Sequence, residues 1–256
     1  MESTISGNEV KTILIYGDSK TGKTMAYCSL IGEKIKENPE TQFYIISTDK
    51  GLRPTLNYYF NNSPPESNIH IYDSPDARTV LNSTEEIQKK AKPIDWIIID
   101  LISDLWEFAQ DEYINQTKQG DKVIDYIIDA SKDPKKFGLF ESVKWQYIKR
   151  IDHAVSRNLI TSSICNIFGV CSEKDVGVEE KISGGITEFS NMYKKVGKRP
   201  SGQKQLQHKF NTIIYLKYVP ATDKRYCIIV GNRGKDNLYK KIDFEKNWYE
   251  KVKNEF

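Results

Sequence analysis

The chain has 256 residues, enough for one large domain whose core buries most of what the unfolded chain exposes. Hydrophobic residues make up 38% and charged residues 29%, the balance of a soluble globular chain, and no apolar run approaches the roughly 18–20 residues that a membrane span needs. The net charge is +3, from 38 basic and 35 acidic residues, so overall charge excludes neither a polyanionic nor a neutral partner and only its distribution is informative.

The opening residues MESTISGNEV lack both a charged and an apolar region, so no secretory signal is expected. Cys28, Cys165, Cys171 and Cys227 form no CxxC pair and three of them lie in apolar or strand-like context. That usage fits buried free thiols in the cell interior, with no zinc site. The expected location is the cytoplasm, the host's if the chain is viral. A composition rich in Lys, Ile, Asn and Tyr hints at an AT-rich microbial or viral genome.

In chain order, residues 11–16 (KTILIY) read as a buried strand running into a Gly-rich turn. A helix is expected over 23–37, ending before Asn38-Pro39. Gln42–Ser47 is a second strand, and Pro54 and Pro64-Pro65 punctuate the stretch after it. Asn68–Tyr72 is a short strand, Ser83–Lys92 a helix stopped by Pro93, and Asp95–Ile99 a strongly β-prone strand. Helices are expected at Asp104–Thr117 and Phe140–Arg157, and a buried strand at Cys165–Cys171. Thr212–Tyr218 and Arg225–Val230 pair around a turn at Pro220–Asp223, and a polar, aromatic-bearing tail closes the chain.

Strands alternating with helices predict an α/β fold: a central mostly parallel sheet with helices on both faces and late antiparallel edge strands. A single domain is expected over 1–256, with 1–10 and 245–256 as peripheral tails.

The sharpest local signal is Gly17-Asp18-Ser19-Lys20-Thr21-Gly22-Lys23-Thr24, which fits G-x-x-x-x-G-K-[ST] between a strand and a helix. Glycines let the backbone curl until several N–H groups face one centre, and with the helix N-terminus these cradle phosphate oxygens. Lys23 supplies a compact positive charge for the β- and γ-phosphates, and the Thr24 hydroxyl is a ligand for Mg2+. ATP and Mg2+ are therefore the expected cofactors. Trp96-Ile97-Ile98-Ile99-Asp100 adds an apolar strand ending in a carboxylate, suited to holding Mg2+ with Thr24. Leu101 follows Asp100, so no adjacent Glu can activate water. Asp49, at the end of the second strand, can orient the attacking water instead.

This order of motifs resembles the RecA-like P-loop ATPases: recombinases, the KaiC-like group, and the shorter RecA-like ATPases of phages and archaeal viruses linked to single-strand annealing and recombination. The resemblance spans roughly residues 10–235, and only the phosphate loop is highly specific. It implies a RecA-type core and a catalytic carboxylate at Asp49, where the family pattern has Glu. It implies a K-x-R-G-like segment at Gly231-Asn232-Arg233-Gly234, with Arg233 reaching the γ-phosphate of a neighbouring subunit. The family's Lys is replaced by Gly231, and Lys235 is a possible substitute. Ser172 and Glu173 take the place of a polar sensor. Self-assembly into a ring or filament follows from a finger supplied by a neighbour.

In such proteins two loops bind single-stranded DNA. They correspond here to about 116–136 and 175–209. The second carries Lys194, Lys195, Lys198, Arg199, Lys204 and Lys209, with no acidic residue over 191–209 and Tyr193 beside the first lysine pair. Cations attract phosphates and an aromatic ring can stack on a base. The expected function is thus Mg2+-dependent ATP hydrolysis by an oligomer acting on single-stranded DNA, in recombination or replication. The alternatives are a DNA-translocating or packaging motor, and a nucleotide-gated assembly module with negligible turnover.

Overall fold

The computed structural model describes residues 10–49, 51–117, 142–176, 192–203 and 205–255. Their strands are β1 (Thr12–Gly17), β2 (Phe43–Ser47), β3 (Ile69–Asp73), β4 (Trp96–Asp100), β5 (Asn166–Asp175), β6 (Lys198–Pro200), β7 (Thr212–Val219), β8 (Lys224–Asn232) and β9 (Lys241–Asp243). They form one sheet in the order β3-β2-β4-β5-β1-β7-β8-β9, with β6 paired to β5 alone. From β3 to β7 every neighbour along this path is parallel, while the β7–β8 and β8–β9 pairs are antiparallel, the mixed sheet that the alternation of elements predicts.

The helices are α1 (Lys23–Glu37), α2 (Leu52–Tyr59), α3 (Ala77–Lys90), α4 (Asp104–Thr117), α5 (Ser142–Ser156) and α6 (Trp248–Val252). Residues of β1, β2 and β4 are buried along their whole length, which is why these strands read as unbroken apolar runs instead of alternating ones. Alternation separates two cores. Leu14, Tyr16, Ile97 and Ile99 pack under α3, α4 and α5 through Val80, Ile87, Leu105 and Val155. Ile13, Ile15, Ile45 and Ile98 pack under α1, α2 and α6 through Tyr27, Leu30, Leu56 and Trp248. All four cysteines are free and buried, and burial pushes the Cys165 and Cys227 thiols up to about 11, which keeps them unreactive.

Beyond the unexpected short strands β6 and β9 and the extension of β5 to Asp175, three further differences have a clear physical reason. Helix α2 begins at Leu52, although Pro54 reads as a break. Proline in a first helical turn costs no hydrogen bond, because that N–H has no intrahelical partner there. Helix α3 starts at Ala77, before the expected Ser83. Asp76 accepts the Thr79 N–H at 2.9 Å while Thr79 Oγ1 accepts the Asp76 N–H at 3.2 Å, a reciprocal cap. The stretch 245–256 is not merely peripheral: Trp248 and Tyr249 are fully buried, the Trp248 indole N–H donates to Cys227 Sγ at 3.0 Å, and the Tyr249 N–H donates to Ser29 Oγ at 3.0 Å. Residues 1–9 of the other expected tail lie outside the described residues. No described helix is long and apolar enough to cross a membrane.

Candidate functional site

The parallel strands all deliver their C-terminal ends to one edge, and the register there assembles a site. Gly17 pairs with Ser172 of β5 and with Leu216 of β7, and Asp100 pairs with Ser47 and Val170. A Cβ on Gly17 would collide with the Leu216 carbonyl oxygen, so only glycine lets the chain leave β1 this close to β7. Gly22 has φ 107° and lies under the Phe244 ring, where an added Cβ would be 2.9 Å from Cε1. The loop between them turns its chain into α1, whose first N–H groups have no intrahelical acceptor.

A cavity of about 520 Å3 opens over this loop, lined by residues that include Gly17, Lys23, Thr24, Asp49, Asp100 and Glu173. Lys23 Nζ donates to the Gly17 carbonyl at 2.8 Å and the Asp18 carbonyl at 2.6 Å, so the ammonium lies folded over the loop. Burial holds it below the ordinary lysine range, and the Asp100 carboxylate opposes that shift. Asp18, Ser19 and Lys20 are exposed at the rim, while Thr21 is buried with its hydroxyl donating to the Asp18 carbonyl at 2.9 Å.

Asp100 is 4% exposed. Burial pushes its carboxyl up to about 6, with the Tyr27 hydroxyl and Lys23 pulling it down and Asp49 adding to the rise. Tyr27 donates to Asp100 Oδ2 at 2.9 Å, and Thr24 Oγ1 lies 3.4 Å from the same oxygen. Asp49 is exposed at the mouth of the cavity and its Oδ1 accepts the Gly51 N–H at 2.9 Å. Its main-chain carbonyl accepts the Ser47 hydroxyl. Glu173 pairs with Lys198 at 3.1 Å, and Lys198 also reaches Asp175 at 3.0 Å.

The donor set fits Mg2+. A hydroxyl and a carboxylate, both hard oxygen donors, lie together beside space for phosphate oxygens and water, and Mg2+ is typically held by one or two protein oxygens with the remainder from substrate and solvent. No group of three or more His, Cys, Asp or Glu side chains placed to hold a metal occurs among the described residues.

Arg233 lies elsewhere. β8 runs antiparallel to β7, and Thr212 pairs with both Asn232 and Ile13, which sets Arg233 beside the start of β1. The length of β1, about 16–20 Å at strand rise, separates it from Gly17. Arg233 is exposed, its Nη2 donates to the His208 carbonyl at 2.7 Å and its N–H to the Asn211 carbonyl at 2.9 Å. A second cavity of about 320 Å3 adjoins it, lined in part by Met192, His208, Phe210 and Asn211. Gly231 faces Met192 Sδ and Ile213 at 3.3–3.4 Å from an added Cβ, so a side chain there would need its neighbours to shift. Lys235 is exposed and donates to the Asn254 carbonyl at 2.8 Å.

The basic stretch is corrected in part. Tyr193 does not offer a stacking face: it is 1% exposed, packs edge-on to Tyr16 at 6.0 Å and donates to Gln207 Oε1 at 2.9 Å. An aromatic beside lysines reads as a surface ring, but its apolar body is claimed by the core under β1. Arg199 is buried in β6, and Lys198 is neutralised by Glu173 and Asp175, two carboxylates that precede the stretch in sequence but pair with it across β5–β6. Lys209 donates to the Ser156 hydroxyl and is half-buried. Lys194 and Lys195 are exposed, with Lys195 Nζ 4.1 Å above the Tyr239 ring. Lys204 and most of the 116–136 interval lie outside the described residues, as does 177–191.

Two contacts escape a reading by motif. Tyr27 comes one helical turn after Lys23, so spacing alone could have set it on the same face, yet nothing local names Asp100 as its partner. Phe244 reaches the phosphate loop only because β9 folds back beside β8.

The AAA domain family matches residues 9–247 of the chain. No curated protein matches it in sequence. Among solved structures, the RadB recombinase superposes with a TM-score of 0.50 at 10% identity, covering 92% of this chain and 88% of that one. A KaiC-like protein from the hyperthermophilic archaeon Pyrococcus horikoshii OT3 gives a TM-score of 0.51 at 16% identity, covering 93% and 87%. At these identities the likeness shows the fold, a RecA-like P-loop core.

Proposed function

The chain belongs to the AAA domain family, and from that premise we propose that it is a Mg2+-dependent ATPase that acts on single-stranded DNA as a ring or filament. The observation that carries this reading is the single cavity shared by the phosphate loop, Lys23, Thr24, Asp49 and Asp100. In it Lys23 unfolds from the Gly17 and Asp18 carbonyls to neutralise the β- and γ-phosphates, while loop N–H groups bind their oxygens. Thr24 and Asp100 would hold Mg2+, which would offset phosphate charge. Asp49, at the cavity mouth, orients water with the carboxylate oxygen that Gly51 does not occupy. Transfer through a loose, metaphosphate-like transition state needs positioning and charge more than covalent help.

Arg233 is too far from its own phosphate loop to serve it, which supports a finger supplied to a neighbouring subunit. Lys194 and Lys195 are the cations of the basic stretch best exposed for a DNA backbone, and a recombinase of the same fold supports DNA as the partner. One observation favours a second reading, a nucleotide-gated assembly module. Asp49 already caps the Gly51 N–H, a role that needs no chemistry.

Turnover of ATP with and without single-stranded DNA, duplex DNA and RNA decides between them. The expected result is stimulation by single-stranded DNA that Lys23→Ala and Arg233→Ala both lose. Mixing Asp49→Ala with Arg233→Ala protein then restores part of it, since each supplies what the other lacks. Tight ATP binding with negligible turnover under every condition would establish the assembly module, and stimulation by duplex DNA alone a translocating motor.

A further inference from the structure

Tyr27 belongs to α1, one turn after the lysine of the phosphate loop, and is completely buried. Its ring packs edge-on to Phe168 of β5, with centroids 6.2 Å apart, in the core beneath α1. That apolar position would suit phenylalanine equally well. The hydroxyl is the exception: it crosses to β4 and donates to Asp100 Oδ2 at 2.9 Å. A phenolic hydroxyl is neutral at ordinary pH and can donate to a carboxylate.

The same carboxylate oxygen lies 3.4 Å from Thr24 Oγ1, a long contact. Two hydroxyls therefore converge on Oδ2 with different commitments. Thr24 is half-buried at the cavity wall and can turn toward a cation. Tyr27 is locked by the packing of its ring, and its hydroxyl is held on Asp100 Oδ2. A carboxylate whose terminal torsion is broad by nature needs such a fixed donor to keep one orientation. Partners of this kind, behind a metal ligand, set its orientation and tune its affinity.

We propose that Tyr27 is a positioning residue for the cation site: its hydroxyl fixes Asp100 Oδ2 when Thr24 turns away, and so presents the remaining oxygen, Oδ1, to the hydrated divalent cation. This rests on the reading that Asp100 helps hold Mg2+. The consequence is a coupling between a core side chain of α1 and metal affinity, with no contact between Tyr27 and nucleotide.

The test is Mn2+ binding, followed by electron paramagnetic resonance, to full-length protein saturated with a non-hydrolysable ATP analogue. Wild type, Tyr27→Phe and Asp100→Asn are compared, and the analogue's affinity is also measured in excess EDTA. Tyr27→Phe keeps the ring and its packing, and its thermal midpoint is recorded alongside. The expected result is Mn2+ affinity about tenfold weaker for Tyr27→Phe, with unchanged nucleotide affinity in EDTA. A merely structural role would lower the thermal midpoint and weaken nucleotide binding in EDTA while leaving Mn2+ affinity at wild-type strength. If Asp100→Asn weakens Mn2+ binding and Tyr27→Phe does not, Tyr27 has no positioning role. If Asp100→Asn also binds Mn2+ like wild type, the assignment of Asp100 to the metal fails, and this proposal fails with it.

Discussion

The two ends of the sheet carry opposite kinds of chemistry. At the C-terminal end of β1, Gly17, Lys23, Thr24, Asp49 and Asp100 share one cavity, and a buried tyrosine braces the deepest carboxylate. At the N-terminal end, Arg233 projects beside a smaller cavity lined by His208 and Asn211, with its guanidinium on a main-chain carbonyl and no carboxylate partner among the described residues. On the proposed function the first end holds phosphate and metal by itself. The second offers a cation that its own chain cannot deliver. A division of this kind suits head-to-tail association, in which the far end of one copy meets the near end of the next.

The sharpest way to break that comparison is Arg233→Ala. Loss of a finger supplied in trans is expected to cut stimulated turnover by about 10³–10⁵-fold while ATP binding to the isolated chain is retained. Steady-state turnover and titration with a fluorescent ATP analogue check both halves. An Arg233→Ala protein as active as wild type would leave the far end without a catalytic part.

A smaller effect, on stability, tests how far the near end relies on the chain's last residues. Trp248 anchors α6 on β8 through Cys227, and Tyr249 beside it ties α6 to Ser29 of α1, whose N-terminus shapes the phosphate loop. Trp248→Ala is expected to cost about 3–5 kcal/mol. For a chain of this size that is a fall of about 6–20 °C in the thermal midpoint. Scanning calorimetry reads the shift, and a loss under a degree would return 245–256 to the periphery.

Lys194→Glu with Lys195→Glu should weaken single-stranded DNA binding about tenfold and reduce the log–log salt slope by about 1.4, as expected for two lost phosphate contacts. Fluorescence anisotropy over a salt series measures it. Smallest of all is Tyr193→Phe: its ring stays in the core, so DNA affinity should match wild type within error. A marked loss of affinity there would return Tyr193 to the nucleic-acid surface and contradict its burial.

The phosphate loop was legible because its chemistry is local. Gly17, Gly22, Lys23 and Thr24 act through backbone curvature and a helix start, both properties of consecutive residues. The Asp100 strand was legible because a parallel strand buried on both faces must be apolar throughout and can end on a single polar residue. The basic stretch was not. Lysines and a tyrosine look alike on paper whether they face water, a carboxylate or a core, and Lys198, Arg199 and Tyr193 were settled by β5, β6 and β1.

By itself, the sequence determined the class of fold, the order of strands and helices along the chain, and the loop that cradles phosphate. These depend on hydrophobic pattern and on short-range backbone preference. Tertiary structure alone decided which strands are neighbours, that Asp49 and Asp100 share a cavity, that Tyr27 braces Asp100, and that Arg233 stands at the opposite end of the sheet. Those facts are contacts between residues far apart in sequence, and their register is set by packing across the whole sheet, which no local pattern records.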